Sequence, residues 1–399
     1  MNQKSQRPKI AAVVTAMHKY FHAQHIVDRL LDGYGWRGTY HEPPFELAGL
    51  YVDQRGVGDL SAERAARHPE MKIYPTAAEA VTLGTGKLAV EGVVIVGEHG
   101  AYPKNEKGQT MYPRYRFFEE VVDVFKASNR TVPVFSDKHL SWNFEWAKKM
   151  YDQSKSMGFA FMAGSSLPVT WRIPSVEMPL GSKIREAVCT AYGGVDSYDF
   201  HALETIQCMV ERRKGGETGV RWLQAYRGDN FWKAYEEGVW SHKLMNASLY
   251  RSHTLKQANP KFTNAFPTVD EMRSLIPHPV AYTYEHNDGL RCTMLLLMGM
   301  IRDFNFAAQM DDGKIVSTEM YLPMPDGRTT LADFFSPLVH HIEEMILTKK
   351  SPLPIERTLL TTGLTATGVD SLYKNQTRLE TPELAIRYQP REESTFERF

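Results

Sequence analysis

The chain lacks most of what would tie it to nucleic acid, a bilayer or an oxidising compartment. Its 399 residues carry 47 Lys and Arg against 47 Asp and Glu, so the formal net charge is zero. No overall field draws it to nucleic acid or to an anionic membrane surface. Cysteine is scarce: Cys189, Cys208 and Cys292 stand far apart, odd in number and without a CxxC spacing. That excludes a disulfide framework and a zinc knuckle, and it fits a reducing, cytoplasmic setting. Long apolar runs are missing too, since the longest, over residues 294–300, is far too short to span a bilayer. Residues 1–9 are polar and run straight into an apolar strand without the apolar core of a signal peptide.

One local absence matters more. A dinucleotide-binding sheet places a glycine-rich turn after its first strand and an acid at the end of its second. Here the first strand, residues 10–14, is followed by Thr-Ala-Met-His-Lys-Tyr-Phe-His-Ala-Gln-His25, which contains no glycine. Side chains in that turn would hold a pyrophosphate away from the N–H groups at the helix start. The acid is present as Asp53, placed to bind ribose hydroxyls. Either the cofactor sits differently, helped by Lys19 and the histidines, or it is absent. His18, His22 and His25 recur at helical spacing and can share one face. One reading is a divalent metal site, because imidazole is a common transition-metal donor. The other is a polar helix start whose histidines serve as hydrogen-bonding partners.

What is present fits a soluble globular protein, with 42% hydrophobic and 24% charged residues. The length calls for two domains. Strands are expected over residues 10–14, 47–52, 72–74, 91–96, 132–135 and 159–163. Helical patterns between them cover 22–31, 62–67, 77–81, 117–127 and 144–155. That alternation means crossover units and a parallel, doubly wound, Rossmann-like α/β domain over residues 1–165. Residues 166–399 are strand-rich and meander-like, so an α+β domain with a mostly antiparallel sheet is expected there. In it, 204–212 and 220–226 read as two apolar runs joined hairpin-like across Lys214-Gly-Gly216. A helical pattern covers 231–239. Further strands are expected at 279–284, 290–298 and 315–321, with turns at Asn287-Asp-Gly289 and Asp311-Asp-Gly313. Turns at Pro323 and Pro325 lead into a helix over 331–347. Trp222, Trp232 and Trp240 read as core or subunit-interface residues rather than ligand-stacking ones, and Met294, Met298 and Met300 as core. A large sheet face needs a cover, which favours a homo-oligomer, a dimer or tetramer.

The stretch Val132-Pro-Val-Phe-Ser-Asp-Lys-His-Leu-Ser141 is an apolar strand that stops on Asp137, Lys138 and His139. Ligands of open parallel sheets bind at the carboxyl ends of strands. A lysine held there between an acid and a histidine can have its pKa pulled toward neutrality, which suits proton transfer. The alternative is a surface turn with a solvated Lys138. The loop Gly97-Glu-His-Gly-Ala-Tyr-Pro103 falls at the same edge, bringing Glu98, His99 and Tyr102 to the same cleft. Next come Tyr112, Arg114 and Arg116, which can bind hydroxyls or a carboxylate of a substrate, or else cap the following helix.

Taken in order, these stretches resemble the glucose–fructose oxidoreductase / inositol dehydrogenase / rhizopine catabolism (Gfo/Idh/MocA) family. Asp137-Lys138-His139 stands where the family has Glu-Lys-Pro or Asp-Lys-Pro. The stretch 163–174 is similar to the family's arginine-bearing turn, with Arg172. Gly194-Val-Asp-Ser-Tyr-Asp-Phe-His-Ala-Leu-Glu204 is similar to its Asp-x-x-x-His helix start, and 354–384 to its ending. The resemblance implies a C-terminal domain with a large open sheet, a sugar- or polyol-like substrate, and hydride transfer linked to NAD or NADP. By match, Lys138 is the catalytic lysine and His201 the proton-transfer group. The family's aspartate falls on Ser197, flanked by Asp196 and Asp199, and Asp196 is carried as the catalytic acid. Cofactor contacts are expected from Asp53, Glu98, His99, Asp137, Lys19 and Arg172. Substrate contacts are expected from Tyr102, Tyr112, Arg114, Arg116, His139 and Glu204. An acid at position 53 leans toward NAD, since it would repel a 2′-phosphate. Two other functions fit the same scaffold. One is a lyase, isomerase or hydrolase, with a metal held by the 18–25 stretch and Glu98 or His99. The other is a binding module without turnover, which so many ionisable groups at one edge disfavour.

Overall fold

A computed structural model describes residues 7–256, 267–323 and 331–398. Residues 1–6 and Pro325, both used above, lie outside the described residues. The chain divides into two compact units. One comprises Met1–Lys104, Thr110–Gly164 and Pro325–Ile355; the other comprises Asn105–Gln109, Ser165–Met324 and Glu356–Phe399.

In the first unit, β1 (Lys9–Val14) is a β-branched and alanine run, buried from Ile10 onward. Helix α1 (His22–Asp32) follows. Next comes a small hairpin of β2 (Tyr34–Trp36) and β3 (Thr39–His41). Its two turn residues, Arg37 and Gly38, have φ of 47° and 80°. Positive φ at both positions is the signature of a type I′ turn, which matches strand twist. The series continues as β4 (Glu46–Val52), α2 (Ser61–Arg67), β5 (Lys72–Tyr74), α3 (Ala77–Thr82) and β6 (Val93–Val96). It ends with α4 (Arg114–Ser128), β7 (Val134–Asp137), α5 (Phe144–Met157) and β8 (Phe161–Gly164). The six-stranded sheet runs β5-β4-β1-β6-β7-β8 with every pair parallel. Strand order reverses at β1, which creates the crevice where such sheets bind ligands. Helix α4 shows how the layers hold. Phe117, Phe118, Val121, Val122 and Phe125 form a buried stripe at helical spacing, and Asn129 ends the helix at a φ of 47°. A later helix, Phe335–Thr348, belongs to this unit: Arg29 donates to Ala332 O at 2.6 Å and to Ser336 Oγ at 3.1 Å.

In the second unit, β9 (Arg172–Ile173) and β10 (Ile184–Ala191) precede the helix α6 (Asp199–Val210) and the strand β11 (Val220–Arg227). Helices α7 (Asp229–Glu236), α8 (His242–Leu249) and α9 (Val269–Leu275) follow. Strands β12 (Val280–His286), β13 (Arg291–Leu296), β14 (Phe304–Met310) and β15 (Ile315–Met320) come next. The Phe335–Thr348 helix is then α10, followed by α11 (Ile355–Tyr373) and β16 (Leu379–Glu380). The eight-stranded sheet runs β16-β11-β12-β13-β10-β14-β15-β9, and its only parallel pair among the described residues is β10 with β13. Both aspartate–glycine turns fall where expected, at Gly289 (φ 89°) and Gly313 (φ 85°). Trp222, Trp232 and Trp240 are buried, as are Met294 and Met300.

Two expectations are corrected here, and two long strands are added. Residues 204–210 are helical, so Lys214–Gly216 joins a helix to a strand. Every residue of α6 is buried, which erases the one-sided pattern that marks a surface helix. Strands β10 and β14 had no counterpart in the sequence reading. Met298, expected in the core, is 50% exposed. All three cysteines are buried and unpaired in disulfides, and no helix of the described residues is long and apolar enough to cross a membrane.

Candidate active site

At the carboxyl ends of β6 and β7, two side chains leave the sheet from strained backbone. Lys138 has a φ of 60° and His99 a φ of 69°. Left-handed backbone at residues with a Cβ costs about 1–2 kcal/mol each and is concentrated at functional sites. A hydrogen bond of 3.2 Å from Lys138 N to Gly164 O, at the end of β8, helps hold the turn. The Lys138 side chain is buried, and its Nζ lies 3.1 Å from Glu98 Oε1. The other oxygen of Glu98 accepts from Arg114 Nη2. Arg114 Nη1 in turn lies 3.2 Å from His139 Nε2, and its guanidinium sits 5.0 Å above the Tyr112 ring. Burial alone would raise the Glu98 pKa, but Lys138 and then Arg114 outweigh it and hold the carboxyl well below its usual range. Glu98 is therefore a buried anion between two cations.

The acid facing Lys138 is thus Glu98, from the neighbouring strand's loop, where the sequence pointed to Asp137. Asp137 turns to the first helix instead, with Oδ2 2.8 Å from His22 Nδ1. Its Oδ1 is buried without a hydrogen-bond partner among the described residues, as is His99 Nε2. Buried polar atoms are nearly always satisfied, so orphans at a strand's carboxyl end mark a place for a ligand or water.

The turn after β1 is built from rings. His18 stacks on Phe21 at 5.1 Å, and Phe21 on His99 at 4.3 Å. His22 meets the edges of His99 and Phe335, and His25 stacks on Phe335 at 5.0 Å. The turn's amides are also engaged: Tyr20 N donates to Gln24 Oε1 at 2.8 Å and Phe21 N to His18 O at 3.1 Å. Burial lowers the pKa of His25 to about 3 and that of His99 to about 4, so both are neutral at pH 7. His18, His22 and His25 therefore do not converge on a metal. Helical spacing gives them neighbouring positions, but stacking and the Asp137 contact send their rings to different partners. Lys19 is exposed, its ammonium 5.0 Å over the Tyr20 ring.

At the end of β4, Asp53 accepts from Tyr51 Oη, Tyr102 Oη and Arg116 Nη2, each at 2.6 Å. Burial pushes its pKa up, but the Tyr102, Tyr51 and Arg116 hydrogen bonds outweigh that and hold the carboxyl below its ordinary value. Burial and the Asp53 hydrogen bond push the Tyr51 hydroxyl up to about 12. Arg116 thus stands as an ion-pair partner beside the acid from which the lean toward NAD was read.

The second unit holds the remaining candidates. His201, on α6, is buried between Tyr198 and Phe304, ring centroids 5.7 and 5.9 Å away. Asp199 is fully enclosed, accepting from the N–H groups of Asp196, Ser197 and Phe200 and from Tyr282 Oη. Asp196 has a φ of 59° and lines a cavity of about 870 Å³ together with Lys107, Arg227 and His278. Of the two acids, Asp199 is the internal brace and Asp196 the one that borders open space. Glu204 accepts both N–H (2.8 Å) and Oγ (2.5 Å) of Ser165. Arg172 is buried over the Phe396 ring at 3.9 Å and donates to Val176 O at 3.0 Å. Glu204, Arg172 and Arg114 each bond groups of the protein itself, while Arg114 Nε and Arg172 Nε are buried without a hydrogen-bond partner among the described residues.

No family model matches the sequence, and no curated protein does. Solved structures do. The structure of GenD2 from gentamicin A biosynthesis, in complex with NAD, is 12% identical with a TM-score of 0.57, over 95% of this chain and 97% of that one. A myo-inositol dehydrogenase from Lactobacillus casei, in complex with NAD(H) and myo-inositol, is 11% identical with a TM-score of 0.54, over 94% and 96%. A Gfo/Idh/MocA family oxidoreductase from Vibrio cholerae is 12% identical with a TM-score of 0.50, over 92% and 99%. The chain has the Gfo/Idh/MocA fold.

A fold shared with dinucleotide-bound proteins raises the question of whether these residues fit that cofactor. The ribose end fits: Asp53 keeps acceptor capacity beside the half-exposed Arg116. The pyrophosphate end does not fit the usual cradle of bare backbone, since rings and satisfied amides fill the Gfo/Idh/MocA first turn here. Sequence reasoning brought Glu98 to the same cleft as Lys138 but not into direct contact with it, and it missed Phe21 and Phe335. Glu98 and Lys138 are 40 residues apart in sequence, and no local pattern announces their contact. Phe21 stood in plain view inside the glycine-free turn.

Proposed function

We propose that the protein is an oxidoreductase of a sugar- or polyol-like substrate that uses NAD or NADP. The observation that carries this reading is the buried Lys138–Glu98 pair on strained backbone at the carboxyl end of β7, in the fold of the NAD-bound structures above. Oxidising a carbinol removes a hydride from carbon and a proton from oxygen. When bound, the nicotinamide supplies the hydride acceptor. Lys138 Nζ is the group to exchange the hydroxyl proton, and Glu98, clamped by Arg114, fixes where that nitrogen sits. Asp53 and Arg116 are the residues to hold a ribose. By the resemblance alone, His201 carries a proton-transfer role and Asp196 that of its acid, while Tyr102, Tyr112 and His139 border the same strand ends as Lys138. The glycine-free first turn favours one second reading, a lyase or isomerase that uses the Lys138 cluster without a dinucleotide.

Thermal-shift titration with NAD, NADH, NADP and NADPH separates the two. The redox reading expects a saturable rise in melting temperature with at least one of them, reduced by Asp53→Ala. No shift with any of the four overturns it and leaves the second reading standing.

A further inference from the structure

The first unit carries a second cluster of metal-donor side chains, none of which belongs to the Lys138 site. His41 ends β3, while His340 and Glu343 lie three residues apart on α10 and so share a helix face. Each offers one donor atom, and the three atoms lie within 4.8 Å of one another. His41 Nε2 is 2.6 Å from Glu343 Oε2, and Tyr34 Oη donates to the same oxygen at 3.2 Å. The Trp36 ring stacks on His340 at 4.5 Å.

Two observations go beyond a hydrogen-bonded brace. Glu343 is 2% exposed, and its second oxygen, Oε1, has no hydrogen-bond partner among the described residues. His340 Nδ1 is likewise buried without one. A buried polar group is seldom left unsatisfied, and two in one cluster need a common explanation. We propose that His41, His340 and Glu343 bind a divalent transition-metal ion of the zinc class, joining the β2–β3 hairpin to α10. Two imidazoles and a carboxylate are the donors such ions prefer, whereas calcium and magnesium take oxygen alone. Zinc bonds of about 2.0–2.2 Å put neighbouring donors of a tetrahedral site about 3.3 Å apart, so side-chain rotation closes the site. The ion replaces the proton shared by His41 and Glu343, and water fills the remaining position. Tyr34 and Trp36 hold the ligands in orientation from outside.

The test uses the full chain, stripped with a chelator, reloaded with zinc and passed through gel filtration before elemental analysis. One zinc per chain is expected, with a higher melting temperature than the stripped protein. His340→Ala and Glu343→Gln should each weaken zinc binding by more than about tenfold, since even outer partners of a metal site are worth that much. Wild-type protein that retains no zinc, or that retains no more than His340→Ala, overturns the site. Should the substituted chains fail to fold, the wild-type count decides alone.

Discussion

Two regions meet at the same edge of the same parallel sheet and are built from opposite materials. Beyond β6 and β7 the chain sets charge against charge: Glu98 between Lys138 and Arg114, with His139 behind them. Beyond β1 it sets ring against ring: His18, Phe21 and His99 in a stack, with His22 and His25 on Phe335. In glycine-rich sheets of this kind the first turn binds phosphate through its backbone. The difference shows that one sheet edge can place an ion-pair cluster beside a packed ring stack, because the fold fixes the backbone positions and not the side chains set on them.

The sharpest way to break the comparison is to disarm the charged side. Lys138→Ala should lower turnover by about 100- to 10,000-fold, the usual contribution of a positioned acid–base group, once a substrate is in hand. Lys138 is also one of two cations on a buried carboxylate, so the melting temperature should fall as well, and turnover must be read per folded molecule. Turnover within about threefold of wild type would remove Lys138 from the chemistry. Glu98→Gln should be next in size. It leaves Lys138 and Arg114 buried without their counter-charge, which costs about 3–5 kcal/mol. Urea unfolding measures it, and a loss under about 1 kcal/mol would mean that the pair is exposed in solution.

The contrast also shows what the sequence could tell. Every strand of the first sheet was legible, because a parallel sheet buried on both faces reads as short apolar runs between helical patterns. Lys138 was legible as a candidate because β7 ends on it. Glu98 was legible as a neighbour in the same cleft but not as its ion-pair partner, because sequence adjacency favoured Asp137, whose carboxyl turns to His22 instead. Asp53 was legible as an acid at a strand end, but not as one already met by Arg116 and two tyrosines. Helix α6 was misread where burial on all sides hides its period, and the three-residue strands β2 and β3 are too short to show one.

The smallest effect separates the two regions along the pH axis. His25 and His99 have folded-state pKa values of about 3 and about 4, below the ordinary 6.5. The native state keeps both rings neutral, so their contribution is complete above pH 6.5. As pH falls from 6.5 toward 4, the unfolded chain takes up protons that the native chain refuses, and stability drops. Glu98 has the opposite ordinary charge and a lower window. Its carboxyl is held well below 4.5, so what it contributes is kept above that pH and lost only on further acidification. Acid unfolding should therefore proceed in two stages, the ring turn first and the charged cluster later. The first should amount to up to about 3 kcal/mol per ring, from about 1.4 kcal/mol for each pH unit between 6.5 and 4. His99→Asn removes one of the two rings and suits the left-handed backbone there, since asparagine tolerates a φ of 69°. In urea titrations at a series of pH values, this variant should flatten the dependence between pH 6.5 and 4 and leave the lower stage unchanged. An unaltered slope would mean that the ring of His99 is open to water, and that the first turn is not sealed.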